Sequence, residues 1–234
     1  MNVALITGAS RGFGRAVAAA LSREGWRLIL DARGGYDLER ARSALPYPSN
    51  AVAIAGDVTD PAHRAALARA VEDATRLDLL VNNASELGPS PLQPLSVHPL
   101  DELEYVYRVN VVAPLALTQA VLPALRAAHG AVVNISSDAA VEAYEGWGGY
   151  GSSKAALDQV SAVMAAEEPD IKVYALDPGD MRTAMHQRAY PGEDISDRPE
   201  PEVSAPAILR LVAERPRSGR YRAASVLDAS LVAT

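Results

Sequence analysis

Tyr150 and Lys154 stand four residues apart in the segment Tyr150-Gly-Ser-Ser-Lys154, and Ser137 lies thirteen residues before the tyrosine. On a helix, residues four apart share a face about one turn from each other. A tyrosine hydroxyl, with a reference pKa of about 10, is a poor base at neutral pH. An ammonium beside it stabilises the tyrosinate and lowers that value. The pair can then exchange a proton with an alcohol or carbonyl oxygen. Ser137, at the end of an apolar run, can donate a hydrogen bond to the same oxygen as charge develops there. A lone Y-x-x-x-K is also a common helical pair, and in isolation it reads as structural.

A second constellation opens the chain. The run Thr7-Gly8-Ala9-Ser10-Arg11-Gly12-Phe13-Gly14 joins an apolar segment to a helical one. Glycines serve where the chain turns sharply and where backbone must approach a pyrophosphate, and a helix N-terminus offers free N–H groups to phosphate. The spacing is G-x-x-x-G-x-G, and a plain glycine-rich turn is the bland alternative. An acid about 20 residues on would hold an adenosine ribose hydroxyl, and Asp31 suits that distance. Arg33, together with Arg11, can instead clamp a 2′-phosphate, and spacing alone leaves both readings open. Asp57-Val58 and Asn82-Asn83-Ala84 close two later apolar runs. Asp57 can accept from an adenine amino group, although each of these is singly a common turn or cap residue.

These residues need strands that end together. Val3–Thr7, Arg27–Ala32, Ala51–Gly56, Leu77–Asn82, Ala131–Ser136, Ile171–Leu176 and Arg220–Ala224 read as strands. Most are continuously apolar, as strands covered on both faces are. Helical patterns lie between them. Ala62–Thr75 aligns Ala66, Leu67, Ala70, Val71 and Ala74, and Pro99–Ala127 is entered through Asp101 and Glu102. Ser204 is expected to cap a helix with Pro206 in its first turn and Ile208, Leu211 and Val212 inward. The alternation predicts an α/β fold: one Rossmann-type doubly wound domain over 1–234, mostly or wholly parallel, with about seven strands and helices on both faces. Candidate substrate loops are 85–99, 138–149 and 180–201, at the carboxyl edge where such sheets bind ligands.

Composition narrows the function classes. The 234 residues are 49% hydrophobic and 22% charged, with net charge −7, which argues against a nucleic-acid groove or an anionic membrane surface. With no cysteine, disulfides, thiolate catalysis and cysteine-held metals are excluded, and no metal is expected. No apolar run approaches the ~20 residues of a membrane span. Met1–Thr7 leads straight into a strand without a signal-peptide pattern, so a soluble cytoplasmic protein is expected.

Taken together, the Thr7–Gly14 loop, Asp57, Asn82-Asn83-Ala84, Asn110, Ser137, Tyr150, Lys154, and Pro178-Gly179 with Thr183 resemble the classical short-chain dehydrogenase/reductase family. The likeness runs from Thr7 to about Thr183. It implies hydride transfer between nicotinamide C4 and a carbonyl or secondary alcohol carbon, with Tyr150 passing the proton. It implies that Lys154 binds the nicotinamide ribose, that Ser137 orients the substrate oxygen, and that Asn110 holds a water linking Lys154 to solvent. Gly8, Ser10, Arg11, Gly12, Phe13, Gly14, Asp57, Val58, Asn83 and Ala84 fall at cofactor positions. Pro178, Gly179, Met181 and Thr183 fall at the nicotinamide end. The acid that selects NAD falls at Ala32, and Arg33 and Arg11 match basic positions of NADP-preferring members, so NADP(H) is expected.

Three departures from the family pattern stand out. Ser85 replaces a glycine after Ala84, which puts the local backbone geometry in question. The stretch from Ala165 to Lys172 is a little short, and the segment after Thr183 suggests a modest substrate lid. Leu87, Tyr144, Trp147, Met181 and Met185 suggest a partly apolar pocket for a medium-sized carbonyl compound. Asp138, Glu142 and Glu145 disfavour a dianion unless Arg182 and Arg188 offset them. Homodimers or homotetramers through the helices of Asn110 and Tyr150 are expected from the resemblance. A non-catalytic NADP(H)-binding regulator is the alternative, as is an epimerase-like relative, although such relatives carry longer C-terminal parts.

Overall fold

Alternate residues of each central strand enter two separate apolar layers. In the computed structural model, which describes residues 1–228, Ala4 and Ile6 face one layer while Val3 and Leu5 face the other. A continuously apolar strand thus serves two helical faces, since successive side chains point to opposite sides. The strands are β1 (Val3–Ile6), β2 (Arg27–Ala32), β3 (Ala51–Ala55), β4 (Leu79–Asn82), β5 (Ala131–Ile135), β6 (Lys172–Asp177) and β7 (Gly219–Arg222). Among the described residues they form one seven-stranded sheet in the order β3-β2-β1-β4-β5-β6-β7, with every pairing parallel. The direction of strand order reverses between β1 and β4, where open α/β sheets take ligands.

One face carries α1 (Gly12–Arg23), α2 (Gly35–Ser43), α8 (Pro206–Glu214) and α9 (Ala223–Leu227), through Phe13, Val17, Leu21, Leu38, Ile208, Leu211 and Val226. The other carries α3 (Pro61–Ala74), α5 (Ala113–Ala128) and α6 (Gly148–Glu167), through Leu67, Val71, Leu117, Val121, Leu125 and Met164. Helix α3 starts where the sequence dictates: the Asp60 carboxylate accepts from the Ala62 N–H, and Pro61 occupies the first turn, where its missing N–H is no loss.

Three expectations change. Ala223 and Ala224 begin α9 instead of ending the last strand. Ser204 does not cap α8, whose preceding residue is Ala205 with no side-chain cap. Its hydroxyl donates to the Pro178 carbonyl at 2.8 Å, tying α8 to the loop after β6. The long helix is three pieces in one run: α4 (Leu100–Tyr107), a π-turn over Arg108–Val112 holding Asn110, and α5. That run, Leu100–Ala128, is 29 residues with a mean hydropathy of 1.5, long and apolar enough to cross a membrane by length and composition. This corrects the expectation that no stretch comes near a span. Its inward face nonetheless packs on the sheet and on α3 through Leu117, Val121 and Leu125, and it buries Asn110 and Thr118.

Candidate functional site

The ends of β1 and β4 are fastened by one threonine and one asparagine. The Thr7 hydroxyl accepts from the N–H groups of Asn83 and Ala84, both at 3.0 Å. The Asn83 amide donates to the carbonyls of Thr7 at 2.8 Å and Gly8 at 3.2 Å. Gly8 and Gly12 lie at φ +65° and +54°, where side chains are strained. A Cβ on Gly14 would stand 2.5 Å from both the Asn83 amide and the Gly8 carbonyl oxygen. The loop thus folds back so tightly that its third glycine is a packing requirement. Arg11 precedes α1 without a side-chain cap, leaving the first-turn N–H groups of the helix to a ligand.

That helix end opens into a cavity of about 540 Å³, lined by Gly8, Ser10, Arg11, Gly12 and Phe13 and, farther along, by Tyr150, Lys154 and Thr183. Its size is within the range of ligand pockets, and the uncapped helix end, the glycine cradle and the flanking arginines fit a phosphate-bearing dinucleotide. Every cofactor position named from the sequence lines it: Arg33, Asp57, Val58, Asn83 and Ala84 at one side, and Pro178, Gly179 and Met181 at the other.

Asp31 is drawn inward. It is 1% exposed, and its carboxylate meets Nε2 of His63 at 2.6 Å. Burial raises the Asp31 carboxyl, against the lowering effect of His63. The hydrogen bond to Asp31 raises the His63 imidazole. The imidazole fills the space over Gly56, where a Cβ would collide with it. Arg33 stays exposed, donating to the Tyr105 hydroxyl at 3.0 Å, with Glu86 at 3.7 Å. Asp57 accepts from the N–H and hydroxyl of Thr59, both at 2.8 Å, so the turn it makes is also its cap.

At the other end, α6 brings Tyr150 and Lys154 together as their spacing predicts. The ammonium lies 5.4 Å from the Tyr150 ring centre and donates to the Ile135 carbonyl at 2.7 Å. Burial lowers Lys154 to about 8, against the attraction of Asp158. Burial raises the Tyr150 hydroxyl, while hydrogen bonding with Ser85 and Ser137 lowers it and the Asp177 and Asp138 charges raise it further. The expected lowering of Tyr150 by the lysine is therefore not the direction found. Desolvation penalises the tyrosinate and the ammonium alike. Ser137 donates to Asp138 at 2.9 Å and accepts from the Ala139 N–H at 3.2 Å. The Asn110 carboxamide is engaged entirely by protein. Its oxygen accepts from the Ser85 hydroxyl and the Glu86 N–H, and its nitrogen donates to the Glu86 carbonyl and the Ser153 hydroxyl.

An apolar wall faces this end. Leu87, Trp147, Met181 and Met185 line the cavity, and Trp147 meets Tyr150 edge-on at 5.7 Å. Tyr144 is not part of that wall: its hydroxyl turns to the Asp138 and Glu142 carboxylates, at 3.0 and 2.9 Å. Arg182 pairs with Glu200. Arg188, on α7 (Ala184–Ala189), pairs with Glu86 at 3.0 Å and donates to the Gly88 carbonyl at 2.9 Å. Sequence reasoning missed Glu86, His63, Asp177 and Arg220. Arg220 links Asp158 at 3.0 Å, the Ser137 carbonyl at 2.9 Å and Asp177 at 3.3 Å. Only Asp158, one turn beyond Lys154, had a readable signal in its spacing.

The model of the short chain dehydrogenase family matches residues 2–194. The chain belongs to that family. Sepiapterin reductase of Mus musculus is 36% identical over 201 residues, covering 80% of this chain and 77% of that protein. Serine 3-dehydrogenase of Rhizobium radiobacter is 35% identical over 179 residues, covering 75% and 70%. Among solved structures, a short chain dehydrogenase from Shigella flexneri complexed with NADP superposes with a TM-score of 0.89 at 30% identity, covering 95% of this chain and 97% of that one. The family placement makes the protein an oxidoreductase fold that uses a nicotinamide cofactor.

Proposed function

We propose that this family member is an NADP(H)-dependent oxidoreductase acting on a carbonyl or secondary alcohol of medium size, with Tyr150 as the group that passes the proton. The observation that carries the reading is the meeting of Tyr150, Lys154 and Ser137 in the cavity that begins at the glycine loop. A bound cofactor supplies the hydride at nicotinamide C4 and, when oxidised, a positive ring charge. The α1 N-terminus with Gly8, Ser10, Gly12, Phe13 and Gly14 holds the pyrophosphate. Asp57 and Val58 bound the adenine, and Asn83 and Ala84 fix the loop beneath. Lys154 binds the nicotinamide ribose, while Pro178, Gly179, Met181 and Thr183 border the nicotinamide.

Tyr150 gives its proton to the carbonyl oxygen in reduction and takes it back in oxidation, with Ser137 donating to that oxygen. The side chain of Asn110 is saturated by protein. A water in its vicinity is therefore held by the main chain of the π-turn. Preference for NADP(H) is supported by the exposed Arg33 and Arg11 at the cavity and by the turning of Asp31 onto His63. Relatives named for sepiapterin and for serine differ in substrate, so the likeness supports the reaction class and the Leu87–Trp147–Met185 wall supports a partly apolar substrate. Exposed Leu100, Val112 and Val163 on the α4–α5 and α6 helices support a homodimer or homotetramer.

Titration of the protein with NADPH and with NADH, followed by nicotinamide fluorescence, tests the cofactor reading. Arg33→Ala should weaken NADPH by about tenfold, the loss of one charge-assisted phosphate contact, and leave NADH unchanged. Equal or tighter NADH binding by the wild type would overturn NADP(H), and binding of neither would favour a role without catalysis.

A further inference from the structure

Position 85 is where this chain replaces the glycine of the fourth-strand motif. Among the described residues, the side-chain-bearing positions with positive φ are Thr75, His129 and Arg215, and Ser85 is not one of them. The backbone does not demand glycine, so the doubt raised by the sequence about local geometry is resolved. What the substitution adds is a hydroxyl inside the cavity, beside Tyr150 and Ser137. That hydroxyl donates to Asn110 Oδ1 at 3.2 Å. The same oxygen accepts from the Glu86 N–H at 2.8 Å, and the Asn110 amide donates to the Glu86 carbonyl and the Ser153 hydroxyl, both at 2.9 Å. Ser153 in turn donates to the Tyr150 carbonyl at 2.6 Å. The acceptor that orients Ser85 is thus itself fixed to the backbone of Tyr150's helix.

We propose that Ser85 is a positioning residue for proton transfer, a second serine hydroxyl on Tyr150 that follows the tyrosine through its protonation states. The proposal rests on Tyr150 being the proton carrier argued above. A serine hydroxyl has one proton and two lone pairs. While Tyr150 is protonated, Ser85 gives its proton to Asn110 and accepts from the phenol. When Tyr150 is ionised, the hydroxyl rotates and donates to the phenolate. Asn110 Oδ1 then keeps the Glu86 N–H, so no buried acceptor is orphaned. A donor to a charged oxygen is stronger than one to a neutral oxygen, so Ser85 favours the tyrosinate and counters the desolvation of the site. The charged groups around Tyr150 are Lys154 on its own helix, Asp138 after β5, Asp177 at the end of β6 and, across the cavity, the Glu86–Arg188 pair. Ser85 adds a hydrogen bond to that set without adding charge.

The test uses full-length protein with NADP⁺ present, its tyrosines labelled at Cζ with an NMR-active carbon isotope. Loss of one signal in Tyr150→Phe assigns Tyr150. In Ser85→Ala and Ser85→Gly that signal should shift, with its titration midpoint raised by about 0.5–1 pH unit, the equivalent of one hydrogen bond. Ser85→Thr, which keeps a hydroxyl, should restore it. The rising limb of alcohol oxidation should move to higher pH in the same variants, with kcat reduced more than KM is raised. A Tyr150 signal and pH response unchanged in Ser85→Ala overturns the proposal while leaving Tyr150's role intact. Displacement of many tyrosine signals, unrescued by threonine, means a packing role and also overturns it. Full activity in Tyr150→Phe instead removes the reading on which it rests.

Discussion

At the cofactor end of the cavity, the chain is shaped by main-chain groups and small residues: Gly8, Gly12 and Gly14 make the turn, and Thr7 and Asn83 bind backbone atoms across β1 and β4. At the catalytic end, side chains hold side chains. Asn82 on β4 donates to Asn134 on β5 at 2.8 Å and to Thr118 on α5 at 3.2 Å, and Asn134 donates to Ser161 on α6 at 2.8 Å. Asn110 does the same between the π-turn, the loop after β4 and α6. The difference follows from what each end must do. Phosphate recognition needs close backbone approach and N–H groups, whereas proton transfer needs individual groups held in place in a dry setting. Asp31–His63 is the exception at the cofactor end, a buried side-chain pair beneath the glycine loop.

The comparison can be broken most sharply at Tyr150. Tyr150→Phe should reduce turnover of a carbonyl substrate by about 10³-fold, the size of a lost acid–base group. NADPH affinity by fluorescence should stay within about twofold, since the ribose partner is Lys154. Loss of affinity in parallel with turnover would mean the two ends are one unit. The converse change is Gly14→Ala. Its methyl collides with the Gly8 carbonyl and the Asn83 amide, an overpacking worth about 3 kcal/mol in denaturant unfolding. NADPH binding should weaken by at least about tenfold as the loop shifts. A neutral result would show that the loop gives way easily.

Lys154 sharpens the contrast through pH. Its folded value of about 8 lies below its ordinary 10.5. Between those values the unfolded chain binds the extra proton, so stability from this group rises with pH. The penalty for burying its charge is complete below pH about 8 and gone above about 10.5. Lys154→Met should therefore be inactive yet more stable than wild type, by up to about 3 kcal/mol at pH 7. That margin should shrink as unfolding is measured toward pH 10.5. A margin independent of pH would mean that the ammonium is not desolvated in the folded protein.

Much of the fold was legible because its signals are local. Strand β2 has the bounds read from its apolar run, Arg27–Ala32, and α3 begins within a residue of its predicted start because Asp60 and Pro61 mark a helix entry. The last strand was misjudged at its end, since Ala223 and Ala224 suit a helix as readily as a strand. Ser204 read as a cap by type, but a carbonyl 26 positions away in sequence takes its hydroxyl. Tyr144 suited an apolar wall until the nearby carboxylates of Asp138 and Glu142 claimed its hydroxyl.

The sequence by itself determined the strand order along the chain, the glycine turn, and the pairing of Tyr150 with Lys154, because periodicity and backbone permissiveness act within a few residues. Tertiary structure alone decided which way Asp31 points, what Asn110 and Ser85 bind, and the protonation tendencies of Tyr150 and Lys154. Those depend on partners tens of residues away, His63 for Asp31 and Ser137 for Tyr150. They depend equally on burial, which no local pattern encodes.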